Sequence, residues 1–347
     1  MYSEYFDAVY NSWLSASISA GSEVNKYIKV NGFSICLSFC GSEMISSIMP
    51  AFEHILCQQT PERDLTVCMW DSTTTGIKLP VVPWKINDIV LDGEIWTYDD
   101  ETLMIVFQPA KNTIMLLNKK RNLGIYWVHD ASTVPYHDKA SPLRLIFQRW
   151  MRMHSYQAIH AGAVGFHGGG VLLAGKGGSG KSTTSLNCLN SGLLYVGDDY
   201  CLITEDPVPY VYSLYNTGKL YARDIELFPS LKPALSNQEQ LDVEKALYFF
   251  HRCFPEKMSA GFPLRAILIP EISGQTNTKL KRVSPARGFL ALSPTTIFQM
   301  PRADQADANR FLDRFVRKLP NYILELGTDL SQIPRVIIDL LKSSNNE

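Results

Sequence analysis

The stretch VLLAGKGGSGKSTTSLNCLNSGLLYVGDD, residues 171–199, decides how the rest of this chain is expected to fold. It opens with a short apolar run, which predicts a buried strand, and Gly175 ends that run. Residues 175–182, GKGGSGKS, then match the P-loop pattern G-x-x-x-x-G-K-[ST] at every specified position. Residues 182–190 predict a helix that Gly192 ends. A strand, this loop and a helix, in that order, form a well-known context for phosphate binding.

The loop predicts a site for a polyphosphate. Its glycines let several backbone N–H groups converge on one anion, and the following helix adds its positive N-terminal end. Lys181 is expected to reach the β- and γ-phosphates, and the Ser182 hydroxyl is expected to bind Mg²⁺. The predicted phosphate-binding residues are Gly175, Gly177, Gly178, Ser179, Gly180, Lys181, Ser182 and Thr183. A glycine-rich turn that only ends a strand is the alternative interpretation.

Two adjacent carboxylates follow the helix of this loop. A second apolar run, residues 193–196, is followed by Gly197, Asp198 and Asp199. In P-loop proteins a carboxylate at the end of a neighbouring strand holds the same metal as the loop. Because adjacent side chains at a strand end point in opposite directions, one carboxylate can hold Mg²⁺ while the other accepts the proton of an attacking hydroxyl. A solvated turn is the alternative for these two residues.

Composition and charge limit the class of partner. The chain has 347 residues, of which 46% are hydrophobic, and this predicts two domains rather than one. A formal net charge of −1 with scattered basic residues argues against a nucleic-acid partner. Seven cysteines without a C-x-x-C pair argue against a disulfide framework or a zinc site, so we expect reduced thiols in a cytoplasmic protein. Neither a secretion signal nor an apolar run of roughly 18 residues, the length of a membrane span, is apparent.

Residues 1–140 are expected to form a β-rich recognition or scaffolding domain. Alternating apolar residues predict strands at 33–39 and 65–70, and residues 44–56 predict a helix. Residues 1–30 predict one short helix at most. Four further strands, separated by turn residues, predict an antiparallel meander at 94–98, 102–107, 113–117 and 124–128.

Residues 141–347 are expected to form a nucleotide-binding domain in which strands and helices alternate. A helix from Ser141 to about His154 is expected to open it. A strand at 158–164 carries His160, and neighbouring strands bring side chains to one sheet edge, so His160 is a candidate site residue. Further predicted elements are strands at 201–203, 210–214, 266–269 and 322–326, helices at 242–251, 306–319 and 330–341, and a polar loop at 215–219. Lys219 and Arg223 either reach a nucleotide phosphate or lie in solvent.

Three segments together resemble the HPr kinase/phosphorylase family. They are IHAGA at 159–163, the P-loop with its GKST ending at 180–183, and VGDD at 196–199. The chain looks closest to the HPr-kinase-like enzymes of peptide-modification gene clusters, such as lasso-peptide kinases. It is more distantly similar to phosphoenolpyruvate (PEP) carboxykinases, which share a catalytic core with HPr kinases. The resemblance is specific over residues 158–203 and weak before Ser141.

The resemblance implies an α/β (or α+β) P-loop kinase core of the HPr kinase/PEP carboxykinase type, with ATP and Mg²⁺ as cofactors. It implies phosphate and metal positions at Lys181 and Ser182, and a histidine beside the phosphates at His160. Within the acidic pair we assign Asp198 to the metal and Asp199 to the catalytic base, a division that the sequence leaves open. The glycine-rich signature that follows the acidic pair in HPr kinases proper has no clear counterpart here. We therefore expect neither an efficient phosphorylase activity nor HPr as the acceptor.

The sequence thus predicts an ATP-dependent serine kinase that acts on a peptide of the lasso-precursor type. Two alternatives stay open: a kinase of a small molecule such as free serine, and a regulator whose P-loop only senses ATP. The acidic pair argues against a pure sensor, because sensing needs no base. Arg287 is a candidate for an assisting cation. The expected partners are ATP and a peptide or small molecule with a serine hydroxyl, without nucleic acid or membrane, and assembly into a homo-oligomer stays open.

Overall fold

The computed structural model describes residues 1–84, 96–297 and 302–343. The chain divides into two compact units, Met1–Met153 and His154–Glu347. Each unit combines helices with a mixed sheet, so the protein is of the mixed α/β class that the sequence predicted. The beginning of the strand predicted at 94–98 lies outside the described residues.

The first unit is built on one sheet, which has eight strands in the described part of the chain. In chain order these are β1 Glu23–Val30, β2 Phe33–Cys40, β3 Leu56–Cys57, β4 Leu65–Asp71, β5 Trp96–Asp99, β6 Leu103–Gln108, β7 Thr113–Asn118 and β8 Leu123–Val128. Their spatial order is β3-β1-β2-β4-β8-β7-β6-β5. Strands β2, β4 and β8 are parallel neighbours. Strands β5 to β8 form an antiparallel meander, which confirms that prediction.

The helices of this unit differ more from the prediction than its strands do. Helix α1, Tyr2–Ser19, is 18 residues long where one short helix was expected. Its buried residues recur at helical spacing, but serines interrupt the apolar pattern in the sequence. The helix predicted at 44–56 is divided into α2, Glu43–Ile48, and a 3₁₀ helix, Met49–Ile55. Two short helices follow, α3 Ser72–Thr75 and α4 Tyr136–Ala140.

Helix α5, Arg144–Met153, belongs to the first unit, whereas the sequence pattern placed it at the start of the second. The ring of Phe147 packs edge-on against Phe52, with 5.7 Å between ring centroids. The ring of Trp150 packs in the same way against Phe33 at 5.1 Å. Because these contacts bury the apolar face of α5 on the first unit, the chain divides at 153/154 rather than at 140/141.

The second unit contains a mixed sheet with nine strands and a two-stranded ribbon in its described residues. The strands are β9 Gln157–Ile159, β10 Gly162–Phe166, β11 Gly169–Leu173, β12 Leu194–Gly197, β13 Cys201–Thr204, β14 Tyr210–Ser213, β15 Thr217–Leu220, β16 Ala246–Phe249, β17 Gly261–Ile272, β18 Lys279–Val283 and β19 Asn321–Leu326. The main sheet has the order β12-β10-β11-β17-β14-β13-β9, with β19 beside β17 and β18 beside β19. The ribbon is the antiparallel pair β15 and β16.

Helices cover both faces of this sheet. They are α6 Lys181–Leu189, α7 Pro285–Ile297, α8 Arg302–Arg317 and α9 Gln332–Ser343. Val171 and Leu173 of β11 pack in one core with α6 and α9, while Leu172 packs in a second core with α7 and α8. This alternation explains why the P-loop strand is apolar at every position, since it is buried on both faces.

Three predictions for the second unit are wrong. The strand expected at 158–164 is two strands, β9 and β10, which pair with different neighbours. The helix expected at 242–251 contains strand β16, and its partner β15 lies in the expected polar loop at 215–219. A four-residue apolar run fits a buried helix segment or a strand equally well, and only the pairing with β15 decides between them. Helix α7 was not predicted.

All seven cysteines are unpaired, and five of them are buried. Among the described residues, no helix combines the length and the apolar character that a membrane crossing requires.

Candidate active site

The P-loop joins the end of β11 to the start of α6, as predicted. Gly175, Gly178 and Gly180 have φ values of 150°, 78° and 103°, which favour glycine over residues with a side chain. A Cβ at Gly175 would lie 2.7 Å from the Ser179 hydroxyl, and one at Gly180 would collide with the side chain of Leu326. The loop therefore needs glycine at these positions in order to turn its backbone into the helix.

Gly180→Ala is accordingly expected to weaken nucleotide binding and to lower the free energy of unfolding by about 1–3 kcal/mol, because φ is positive there and Leu326 leaves no room. Thermal unfolding with and without ATP measures both effects. Gly192→Ala is the matched control, since a Cβ at Gly192 meets nothing within 4 Å. Equal losses in the two variants would contradict the steric explanation.

Lys181 lies beneath the loop with only 7% of its surface exposed. Its Nζ donates to the carbonyl oxygens of Gly175, at 2.5 Å, and of Lys176, at 3.3 Å. Burial lowers the pKa of Lys181, and the charges of Asp198 and Asp199 offset part of that effect. Among the described residues Lys181 has no ion-pair partner, so a bound anion would relieve the cost of burying its charge.

Asp198 and Asp199 directly follow strand β12 and lie at the same edge of the sheet as the P-loop. Residue Ala163 of β10 lies opposite Leu172 of β11 on one side and opposite Gly197 of β12 on the other. Only β10 therefore separates the strand of the acidic pair from the strand of the loop. Both carboxylates and the loop line one cavity of about 420 Å³, a size typical of small-molecule sites.

Asp198 is the more deeply buried member of the pair, with 2% of its surface exposed. The Ser185 hydroxyl donates to its Oδ1 at 2.6 Å, and the backbone N–H of Lys219 donates to its Oδ2 at 3.2 Å. Burial, together with the neighbouring charge of Asp199, raises the pKa of Asp198, and the hydrogen bonds from Ser185, Lys219 and Ser182 offset part of that shift. A cation near this carboxylate would stabilise its charged form.

Asp199 lies between two basic side chains. His160 Nε2 is 2.7 Å from its Oδ1, and Lys219 Nζ forms an ion pair with its Oδ2. Burial alone would raise the pKa of Asp199, but the Lys219 charge and the His160 hydrogen bond hold that pKa well below its ordinary range. For Lys219, burial acts to lower the pKa, yet the same ion pair raises it overall. Both groups of this pair are therefore charged near neutral pH.

His160 occupies the break between β9 and β10, not the middle of one strand as predicted. Its backbone N–H donates to the Thr296 hydroxyl at 3.3 Å, which fixes the chain at this break. Since Nε2 faces the ionised Asp199, we assign a proton to Nε2. Its Nδ1 is buried and has no hydrogen-bond partner in the described part of the chain. The predicted histidine, acidic pair and P-loop thus line the same cavity.

Other residues of this site were not predicted from the sequence. Lys219 was expected either at a phosphate or in solvent, and it instead pairs with Asp199. Ser185 was not singled out, although it follows Ser182 by three residues and a helix brings such residues to one side. Tyr221 and Lys245 also line the cavity, and nothing in their sequence context indicated this. Arg287 pairs with Glu271 at 2.7 Å and is not among the lining residues, so it gains no support as an assisting cation.

The residues at this site fit Mg²⁺. The Ser182 hydroxyl and the Asp198 carboxylate are oxygen ligands, which Mg²⁺ prefers. The Asp198 oxygens accept hydrogen bonds from the Ser185 hydroxyl and the Lys219 backbone N–H, and since each carboxylate oxygen can accept more than one such bond, the group can also bind a metal or a bound water. Within the described ranges no group of three or more His, Cys, Asp or Glu could hold a metal by itself.

No protein-family model matches this chain, and no match to a curated protein was found.

Proposed function

We propose that this protein is an ATP-dependent serine kinase with a P-loop core of the HPr-kinase type, and that its acceptor is a peptide. The observation that carries this proposal is one cavity lined by both the P-loop with Lys181 and the paired carboxylates with His160. A protein that only senses ATP needs the phosphate-binding loop. It does not need an ionised carboxylate held from two sides in the same cavity.

Unmatched positive charge in the cavity supports a polyphosphate ligand. Lys176 and Lys181 line it, and neither has a carboxylate partner among the described residues. The two carboxylates, in contrast, already have partners in Ser185, Lys219 and His160. A helix N-terminus and a surplus of cations at the same place favour a highly charged anion such as the triphosphate of ATP.

The residues have separate tasks in the proposed transfer. Lys181 and the backbone amides at the start of α6 hold the β- and γ-phosphates. The Ser182 hydroxyl and the Asp198 carboxylate would hold Mg²⁺, which would supply positive charge to offset that of the phosphates. The acceptor serine oxygen forms a bond to the γ-phosphorus while the bond from phosphorus to the β–γ bridging oxygen breaks. The hydroxyl proton passes to Asp199, and ADP leaves with the bridging oxygen.

A depressed pKa is compatible with Asp199 as the base. In a loose phosphoryl-transfer transition state the attacking hydroxyl keeps its proton until late, so the orientation of the base matters more than its strength. His160 and Lys219 hold the Asp199 carboxylate from two sides and keep it ionised. The acceptor hydroxyl therefore meets a carboxylate that is already aligned.

Incubation of the purified protein with ATP and Mg²⁺, together with serine-containing peptides or free serine, tests the proposal. A mass gain of about 80 Da on a peptide, the mass of one added phosphoryl group, is the expected result. A gain on free serine alone would contradict the peptide acceptor. No gain on either, despite tight ATP binding, would contradict the kinase and favour a sensor.

A further inference from the structure

A cluster of two cations and one aromatic ring lines the same cavity as the acidic pair. It consists of Tyr221, Arg223 and Lys245, which we call the cationic rim. The guanidinium carbon of Arg223 is 4.9 Å from the centre of the Tyr221 ring, and Lys245 Nζ is 4.2 Å from it. All three residues line the cavity, and the Arg223 side chain is 79% exposed. The rim thus faces both the cavity and solvent.

The charges of the rim are not neutralised. In the described residues Lys245 has no ion-pair partner, and its nearest group is the ring of Tyr221. Among the described residues Arg223 has one ionic contact, at 3.8 Å from Asp224, which also lines the cavity, and exposed contacts of this length add little stability. Attraction to an aromatic face positions a cation without cancelling its charge. The rim can therefore bind an anion.

Strand β15 connects the rim to the acidic pair. Lys219 and Tyr221 are two residues apart, and Tyr221 keeps an extended backbone at φ −65° and ψ 142°. Side chains two residues apart on an extended chain project to the same side. Because Lys219 reaches Asp199, Tyr221 projects toward the same cavity, about 7 Å further along the strand.

The distance of about 7 Å between Lys219 and Tyr221 along the chain fits a bound peptide better than a bound nucleotide. The P-loop contributes Lys176 and Lys181 to the phosphates, whereas β15 leads away from Asp199, the carboxylate that faces the acceptor hydroxyl in the proposed function. Residues of an extended peptide are about 3.4 Å apart, so a side chain one or two residues from the serine can reach the rim. Lys245 also contributes to lowering the pKa of Lys181, so a role in nucleotide binding is the competing outcome.

We infer that the acceptor is an acidic peptide, with Asp or Glu within two residues of its serine, and that Arg223 and Lys245 bind that carboxylate. This inference rests on the proposed function for the role of Asp199. It adds the chemical class of the acceptor. The acid would fix the register of the peptide, so that its serine oxygen lies at Asp199.

Binding of unreactive peptides to the full chain tests the inference without any phosphoryl transfer. The peptides carry alanine in place of the serine, are acetylated and amidated, and have Asp or Asn at one position within two residues of the alanine. With a non-hydrolysable ATP analogue and Mg²⁺ present, we expect the Asp peptides to bind at least about tenfold tighter by fluorescence anisotropy at low salt. The double variant Arg223→Met/Lys245→Met should lose this preference and keep its affinity for the analogue.

Lys232→Met/Arg310→Met is the matched control. It removes two exposed cations, which pair with Glu226 and Asp307 and do not line the cavity, and it should keep the preference. Equal binding of Asp and Asn peptides to the unchanged protein would overturn the inference. A double variant that loses the analogue and keeps the peptide preference would assign the rim to the nucleotide instead. Preferential binding of Asp peptides without transfer to their serine counterparts would contradict the proposed function alone.

Discussion

Asp199→Asn is expected to lower kcat for phosphoryl transfer by roughly 10²- to 10⁴-fold, the usual contribution of a general base. Asparagine has nearly the same shape, and its single carbonyl oxygen can accept from His160 or from Lys219, but it cannot take the proton of the acceptor hydroxyl. ATP binding should not weaken, because the substitution removes a negative charge from the cavity. Initial rates at saturating ATP and peptide, together with calorimetric ATP titration, separate the two effects.

Asp313→Asn is the control for this prediction, since Asp313 is an exposed partner of Arg317 on α8. It should leave rate and affinity unchanged. Full activity of Asp199→Asn would remove Asp199 from the role of base. If Asp198→Asn stops transfer at saturating Mg²⁺ while Asp199→Asn does not, the two carboxylates have the opposite roles.

Lys181→Met is expected to lower kcat/KM for ATP on the order of 10³-fold, which corresponds to several kcal/mol of lost transition-state stabilisation. Lys181 is 7% exposed, and among the described residues its ammonium donates to two backbone carbonyls, so a methionine of similar length removes the charge with little change in packing. The free energy of unfolding should not fall with the activity, because the folded protein no longer buries an unpaired cation. Steady-state kinetics and chemical denaturation measure the two quantities on the same preparation.

Lys232→Met serves as the control here, because it removes an exposed lysine paired with Glu226. Its kinetics and stability should match those of the unchanged protein. A Lys181→Met variant that loses activity only in proportion to lost folding would contradict a role for Lys181 at the phosphates. If the variant keeps its affinity for ATP but loses turnover, then Lys181 stabilises the transition state and does not contribute to ATP binding in the ground state.

The predictions that held were those that depend on residues close together in the sequence. The P-loop, its strand and its helix lie within residues 169–189, and each glycine with a positive φ is dictated by the loop itself. The meander of β5 to β8 held for the same reason, since short turns join neighbouring strands. The position of the acidic pair at a strand end also followed from a local pattern.

The surroundings of the acidic pair could not be predicted in this way. Lys219 is 20 residues from Asp199 along the chain, and it reaches the carboxylate from β15, a strand that pairs with β16. The residues of β16 were predicted as a helix, so the ribbon that presents Lys219 and Tyr221 was absent from the expected fold. The ion pair that keeps Asp199 charged was therefore absent from the expected site as well.

The sequence by itself determined that a glycine-rich loop and two carboxylates would meet at one sheet edge, because each follows a short strand whose pattern is local. Only the tertiary structure decided which groups hold those carboxylates, where the chain breaks to place His160, and to which unit helix α5 belongs. Each of these depends on which distant segments bury each other's apolar faces and satisfy each other's hydrogen bonds. Such pairings are properties of the whole fold, and no short stretch of sequence encodes them.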